Sequence, residues 1–234
     1  MNVPFSADAL TGVFTSYNLA VWPAQLVLLA VALALVAGVA FGRVQPRVVY
    51  AVLAGLWGWS GGVFWLLFFT RVSPAGYVFG AFFLVQVVVF VVAAAGRDRQ
   101  PVALRGNAPG VAGATMIVYA LALYPLIGRA FGHVYPAVPT FGAPCPVTIL
   151  TFGILVLAQG VVPVRRLLIP LAWSLVGTMA AVRFGVVQDL ALPLAGIAGT
   201  AIVVLNNRRA AAAGMPTYGV GETPAPPEGI RRLH

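Results

Sequence analysis

The 234-residue chain is 61% hydrophobic and only 8% charged, too apolar for one water-soluble core to hide, so a bilayer is expected to cover it. All fourteen basic side chains are arginine, set against five acidic ones for a net charge of +9, and the lack of lysine excludes a retinal Schiff-base protein. The arginines are scattered over separate segments, which argues against a nucleic-acid-binding domain.

At the N-terminus, Phe5, Leu10, Val13, Phe14 and Tyr17 recur at helical spacing after Ser6, a capping residue. This pattern predicts a short interfacial helix within an extracytoplasmic segment, residues 1–18. A transmembrane domain is expected over residues 19–205. A crossing helix needs roughly 20 mostly apolar residues; residues 19–42, 48–70, 75–96 and 110–128 supply them, and 146–162, 167–182 and 190–205 are shorter candidates. Pro163 and Pro170 bracket Arg165 and Arg166, which predicts a tight turn between the fifth and sixth spans. The expected architecture is therefore an all-α polytopic transmembrane helical bundle of about seven spans, with six as the alternative. Continuous apolar runs disfavour a β-barrel, whose strands alternate, and the first apolar stretch is too long for a cleaved signal peptide.

Seven spans would place Arg43, Arg47, Arg97, Arg99, Arg105, Arg165, Arg166, Arg208, Arg209, Arg231 and Arg232 on one side. Only Arg71, Arg129 and Arg183 fall on the other. The positive-inside rule then sets the N-terminus outside and the C-terminus in the cytoplasm, where the arginines would attract anionic lipid head groups. Residues 206–234, mixing alanine, proline, glycine and charge, predict a disordered cytoplasmic tail.

The predicted spans hold no Asp, Glu, His or Lys, so the ionisable relay of a proton-coupled transporter is not expected. Ser60, Gln86, Thr115, Tyr119, Thr151, Gln159, Ser174 and Thr178 are left to line a narrow polar path or, the commoner use, to hydrogen-bond between helices. Gly58 with Gly62, and Ala195 with Gly199, are spaced for close helix contact.

Residues 132–146 form a long uncharged loop stiffened by four prolines. Non-helical backbone at membrane depth must be covered by protein or line a cavity, so this loop is expected to fold over an outer mouth. Asn18, Trp22, Gln25, Gln86, Arg129, His133, Tyr135, Thr140, Cys145 and Thr148 are the candidate mouth or path residues. Cys145 is expected to cap the fifth helix, with Pro146 at the first helical position, where the helix dipole would favour an exposed thiolate. Cys145 and His133 are also the candidate metal ligands, although two donors fall short of a closed ligand set. A lone cysteine rules out an intramolecular disulfide. Arg183 and Asp189 are expected to pair as ions. No nucleophile, base and acid can be assembled, so neither an enzyme nor a cofactor is expected.

Several short motifs carry a resemblance. Pro4-Phe5, Tyr17-Asn18, Val21-Trp22-Pro23 and the loop from Tyr135 to Thr148 resemble a family of small, uncharacterised bacterial inner-membrane proteins, some of them labelled permease-like. Pro144-Cys145-Pro146 also looks like the intramembrane Cys-Pro pairs of copper- and heavy-metal-transporting P-type ATPases, but that likeness covers three residues and none of the ATPase domains. The family resemblance implies a multi-pass protein of the bacterial inner membrane, and a small permease or channel-like transporter is the leading expectation. A metal- or thiol-handling protein centred on Cys145 is one alternative; a structural or assembly subunit, as a homo-oligomer or with a membrane partner, is another.

Overall fold

A computed structural model describes residues 6–96 and 100–213. Among them the chain forms eight continuous helices: α1 Ala7–Ala20, α2 Ala24–Ala40, α3 Pro46–Arg71, α4 Ala75–Ala95, α5 Ala108–Ala130, α6 Pro144–Val156, α7 Arg165–Phe184 and α8 Ala191–Ala212. A single turn of 3-10 helix, Val187–Leu190, leads into α8. Their ends follow local chemistry. Ser6 caps α1 by accepting from the Ala9 amide at 3.1 Å, Asn107 caps α5 by accepting from Gly110 at 2.9 Å, and Gly185 ends α7 in the left-handed conformation at φ +70°.

Five helices, namely α3, α4, α5, α7 and the rod Val187–Ala212 that contains α8, are long and apolar enough to cross a membrane; α1 and α2 count as a sixth span if taken together. These lengths are compatible with a membrane protein. The helix expected before residue 19 is α1, and the expected first span starts late, at Ala24: α1 and α2 meet at 84°, across a gap that ends at Pro23. The expected fifth span shrinks to α6, thirteen residues or about 20 Å at 1.5 Å per residue, too short to cross unaided. Beyond it, residues 157–164 leave the helix, and Val102 and Ala158 form an isolated bridge.

The short helix is the centre of the bundle. Every residue of α6 is buried, and it packs against α5, α8, α7 and α3. It meets α5 glycine on glycine: a Cβ added at Gly113 of α5 would lie 2.8 Å from the Gly153 carbonyl, and one at Gly153 would lie 2.9 Å from the Gly113 carbonyl. On another side Gly199 of α8 lies against Phe152, which would be 2.8 Å from an added Cβ. The Trp57 indole of α3 donates to Thr151 at 2.9 Å.

Two wide π-helical stretches interrupt the long rods, Ser60–Phe68 in α3 and Tyr119–Leu123 in α5. The second precedes Pro125, whose ring and missing amide disfavour a tight α turn. In α3 the π stretch also corrects the expected glycine contact. Spacing of four no longer returns to one face, so Gly62 has nothing near it and Gly58 makes only an ordinary contact, while Gly61 meets Phe83 and the Gly80 carbonyl of α4.

At the C-terminal end, α8 continues through residues 206–212, past the expected start of a disordered tail. Asn207 explains the extension, because its side chain accepts from the Val162 amide at 2.8 Å and donates to the Val162 carbonyl at 2.7 Å. Residues 214–234, with Arg231 and Arg232, lie outside the described residues, as do Phe5, Arg97 and Arg99.

Gly153→Val should force α5 away from the central helix. We expect a loss of about 1–3 kcal/mol or failure to fold, read as a lowered unfolding midpoint in detergent, whereas Gly62→Ala, with open space around it, should leave that midpoint nearly unchanged.

Candidate functional site

The proline-rich loop is held by the residue that ends α1's buried face. Asn18, fully buried, donates from Nδ2 to the carbonyls of Pro136 and Val138, both at 2.7 Å. Its side-chain oxygen accepts from Thr140 at 2.7 Å, and its backbone carbonyl accepts from Gln25 at 2.8 Å and from the Tyr135 hydroxyl at 3.2 Å. One amide thus satisfies loop groups about 120 residues away in sequence. The neighbouring Tyr17 hydroxyl accepts from the Trp59 indole at 2.8 Å, and Ser60 donates to the Gly142 carbonyl at 2.9 Å.

Under the loop lies a cavity of about 570 Å³, lined by Trp22, Gln25, Arg129, His133, Tyr135 and Thr140 among others. Six of the ten sequence-derived candidates therefore share one mouth, with Asn18 bracing it. The Trp22 and Tyr135 rings meet edge to face at 6.5 Å. His133 Nδ1 lies 3.2 Å from the Gln188 side-chain oxygen.

The other three candidates lie elsewhere. Gln86 is buried and donates to the Arg166 carbonyl at 3.2 Å, away from the mouth. Thr148 is buried and donates to the Pro144 carbonyl within its own helix. Cys145 does not cap α6: Ala143 is the N-cap and Pro144 opens the first turn, leaving Cys145 inside the helix and buried. Its thiol lies beside Asp189 and Tyr124. That placement replaces the exposed, capping thiol expected from the sequence.

Asp189 was expected to face Arg183. Instead the tight turn before α8 carries it inward, 2% exposed, where it accepts from the Tyr124 hydroxyl at 2.6 Å, while Arg183 is exposed. Tyr119 joins the cluster by donating to the Gln188 carbonyl at 2.8 Å. Tyr124 lines the mouth, and Asp189 and Cys145 line a second cavity of about 240 Å³ walled by Phe64, Trp65, Phe79 and Trp173. The Tyr124–Asp189–Cys145 cluster is thus a polar partition between a mixed-polarity mouth and an aromatic chamber. Among the described residues no group of three or more His, Cys, Asp or Glu could hold a metal ion.

At the opposite end of the bundle, Arg166 is drawn fully inside, donating to the Tyr50 hydroxyl at 2.8 Å and to Gln100 at 3.1 Å, with its guanidinium 4.4 Å from the Tyr50 ring centre. Arg105 bonds Gln159. Arg105 and Arg209 line a third cavity of about 460 Å³.

The mouth unites motifs from both halves of the sequence, and a family model matches the chain over residues 7–214. The chain belongs to the family of unknown function DUF6064. No curated protein and no solved structure matches it significantly. The Tyr17-Asn18, Trp22-Pro23 and Tyr135-to-Thr148 motifs of this DUF6064 member are, in structural terms, the brace, one wall and the roof of the mouth. Pro4-Phe5 lies outside the described residues.

Asn18→Ala would leave the Pro136 and Val138 carbonyls without their donor. It should cost about 1–3 kcal/mol and make the 132–143 segment the first site cut by protease. In native membranes Cys145 should resist a membrane-impermeant maleimide and react only after denaturation; rapid native labelling would contradict its placement beside Asp189.

Proposed function

We propose that this DUF6064 member is a small permease-like protein of the bacterial inner membrane, taking up a small polar solute through the mouth beneath the proline-rich loop. The observation that carries this reading is the mouth itself, where Gln25, Arg129, His133 and Thr140 converge with two aromatic rings under a roof held by Asn18. Pockets that combine apolar walls with a few fixed polar groups are the usual form of small-molecule sites. The cavities also count against a purely structural subunit, and the burial of Cys145 beside Asp189 and Tyr124 counts against a soft-metal carrier.

In this reading the mouth faces outward and the Arg105–Gln159 end faces the cytoplasm, with anionic lipid against the arginines. The crossing by α6 is completed by residues 157–164. Non-helical backbone is tolerated at that depth because protein covers it: Leu157, Ala158 and Val162 are buried. Reporters support or sink this topology directly. A fusion after Ala213 should be active in the cytoplasm and an insertion between Gly132 and His133 should be extracytoplasmic; finding both on one side would mean that α6 and its continuation do not cross.

Transport is tested in proteoliposomes by light scattering. Vesicles holding the full chain should swell faster in iso-osmotic urea or glycerol than protein-free vesicles, and Leu29→Trp, which fills the mouth without removing a polar group, should abolish most of the difference. Equal swelling with and without protein would reject a channel-like path for these solutes.

A further inference from the structure

The aromatic chamber behind the partition is not needed to explain the mouth, and its chemistry is different. Among the described residues, Asp189 is its only acidic lining residue and no basic residue lines it. The carboxyl group accepts from the Tyr124 hydroxyl and lies beside the Cys145 thiol, neither of which carries positive charge, and Arg183, the nearest arginine in sequence, is exposed. A buried carboxyl group inside an apolar bundle is costly unless a counter-charge or a proton accompanies it.

The walls supply what a cation uses besides a carboxylate. Trp65 and Trp173 meet edge to face at 5.2 Å, and Phe79 lies 4.9 Å from Trp65 and 5.4 Å from Trp173. Phe64 closes the same cluster at 5.2 Å from Trp65. Faces of such rings attract a quaternary or alkyl ammonium group, the more so where water is excluded. Both indoles are also nine-tenths buried, and among the described residues neither indole N–H has a hydrogen-bond partner. Two orphan donors in a chamber whose carboxyl group has no basic neighbour among the lining residues call for a ligand that carries a positive centre and an oxygen acceptor.

We propose that this chamber binds a small organic cation of the amino-alcohol type, its ammonium group against Asp189 and the aromatic faces, its oxygen accepting from an indole N–H of Trp65 or Trp173. The volume of about 240 Å³ suits a compact ion of this kind. Because the chamber is separate from the mouth, this assignment stands or falls independently of solute passage there.

The test uses the full chain in detergent and isothermal titration with choline and with 3,3-dimethylbutan-1-ol, its neutral isostere of the same shape. Choline should bind at least tenfold more tightly than the alcohol. Asp189→Asn should remove that preference and leave binding of the alcohol unchanged, while Trp173→Leu should weaken choline at least tenfold. Equal affinity for the two ligands in the unmodified protein, or no binding of either, overturns the proposal. That comparison needs no variant, so it decides the matter even if Asp189→Asn does not fold. A folded Asp189→Asn protein that keeps the full preference for choline would overturn it as well.

Discussion

The arrangement rests on burying one short helix on all sides. A helix that is apolar all round is covered either by lipid or by other protein, and for α6 it is protein that covers the whole length. Its contacts depend on close approach: Gly113 and Gly153 let two backbones meet on one side, and on another Gly199 leaves room for the Phe152 ring. Because α6 is shorter than its neighbours, the chain must travel the remaining distance as non-helical backbone, through 132–143 before it and 157–164 after it. Free backbone groups in those two segments then need partners. At one end Asn18 supplies them; at the other Gln100 bonds the Val161 carbonyl and Asn207 bonds Val162. The mouth, in this sense, follows from the shortness of the helix below it.

Much of this was legible in the sequence, because hydropathy and capping are local signals. The long rods α3, α4 and α5 lie close to where their apolar runs placed them, and the uncharged proline loop does roof a cavity. Asn18, Trp22 and Gln25 were readable as part of the same mouth because they sit where an apolar run begins and carry polarity that such a run does not need. The neutral polar residues mostly serve hydrogen bonds: Ser60, Gln86 and Thr151 join separate segments, while Thr115 and Thr178 turn back on their own helices.

What sequence reading missed was pairing at a distance and the depth of helix ends. Asp189 sits in a four-residue turn between two apolar runs, and by hydropathy alone such a residue belongs to a loop. Its partner Tyr124 lies 65 residues away, and nothing local marks that tyrosine as different from the interfacial ones. Arg166 was hidden in the same way. It opens α7 beside Arg165, yet the first turn of α7 has one face toward the bundle and one away from it, so one arginine of the pair is fully buried and the other exposed. The late start of the first span has a local cause, since Pro23 stands within the apolar run.

The two π-helical stretches act as register joints. A wide turn holds one residue more than an α turn would, so the faces before and after it are set separately. In α3 the upstream face gives Trp57 to Thr151 of the central helix, while the downstream face gives Phe64 and Phe68 to Tyr17 of α1 and Trp65 to Trp173 of α7. Loss of one residue between Ser60 and Val63 would leave composition and hydropathy almost untouched, yet would swing the downstream rings by about 100° away from the chamber they now wall. Such a change would be nearly invisible to a hydropathy profile, so a one-residue difference in length is the shortest route by which this scaffold could acquire a different interior.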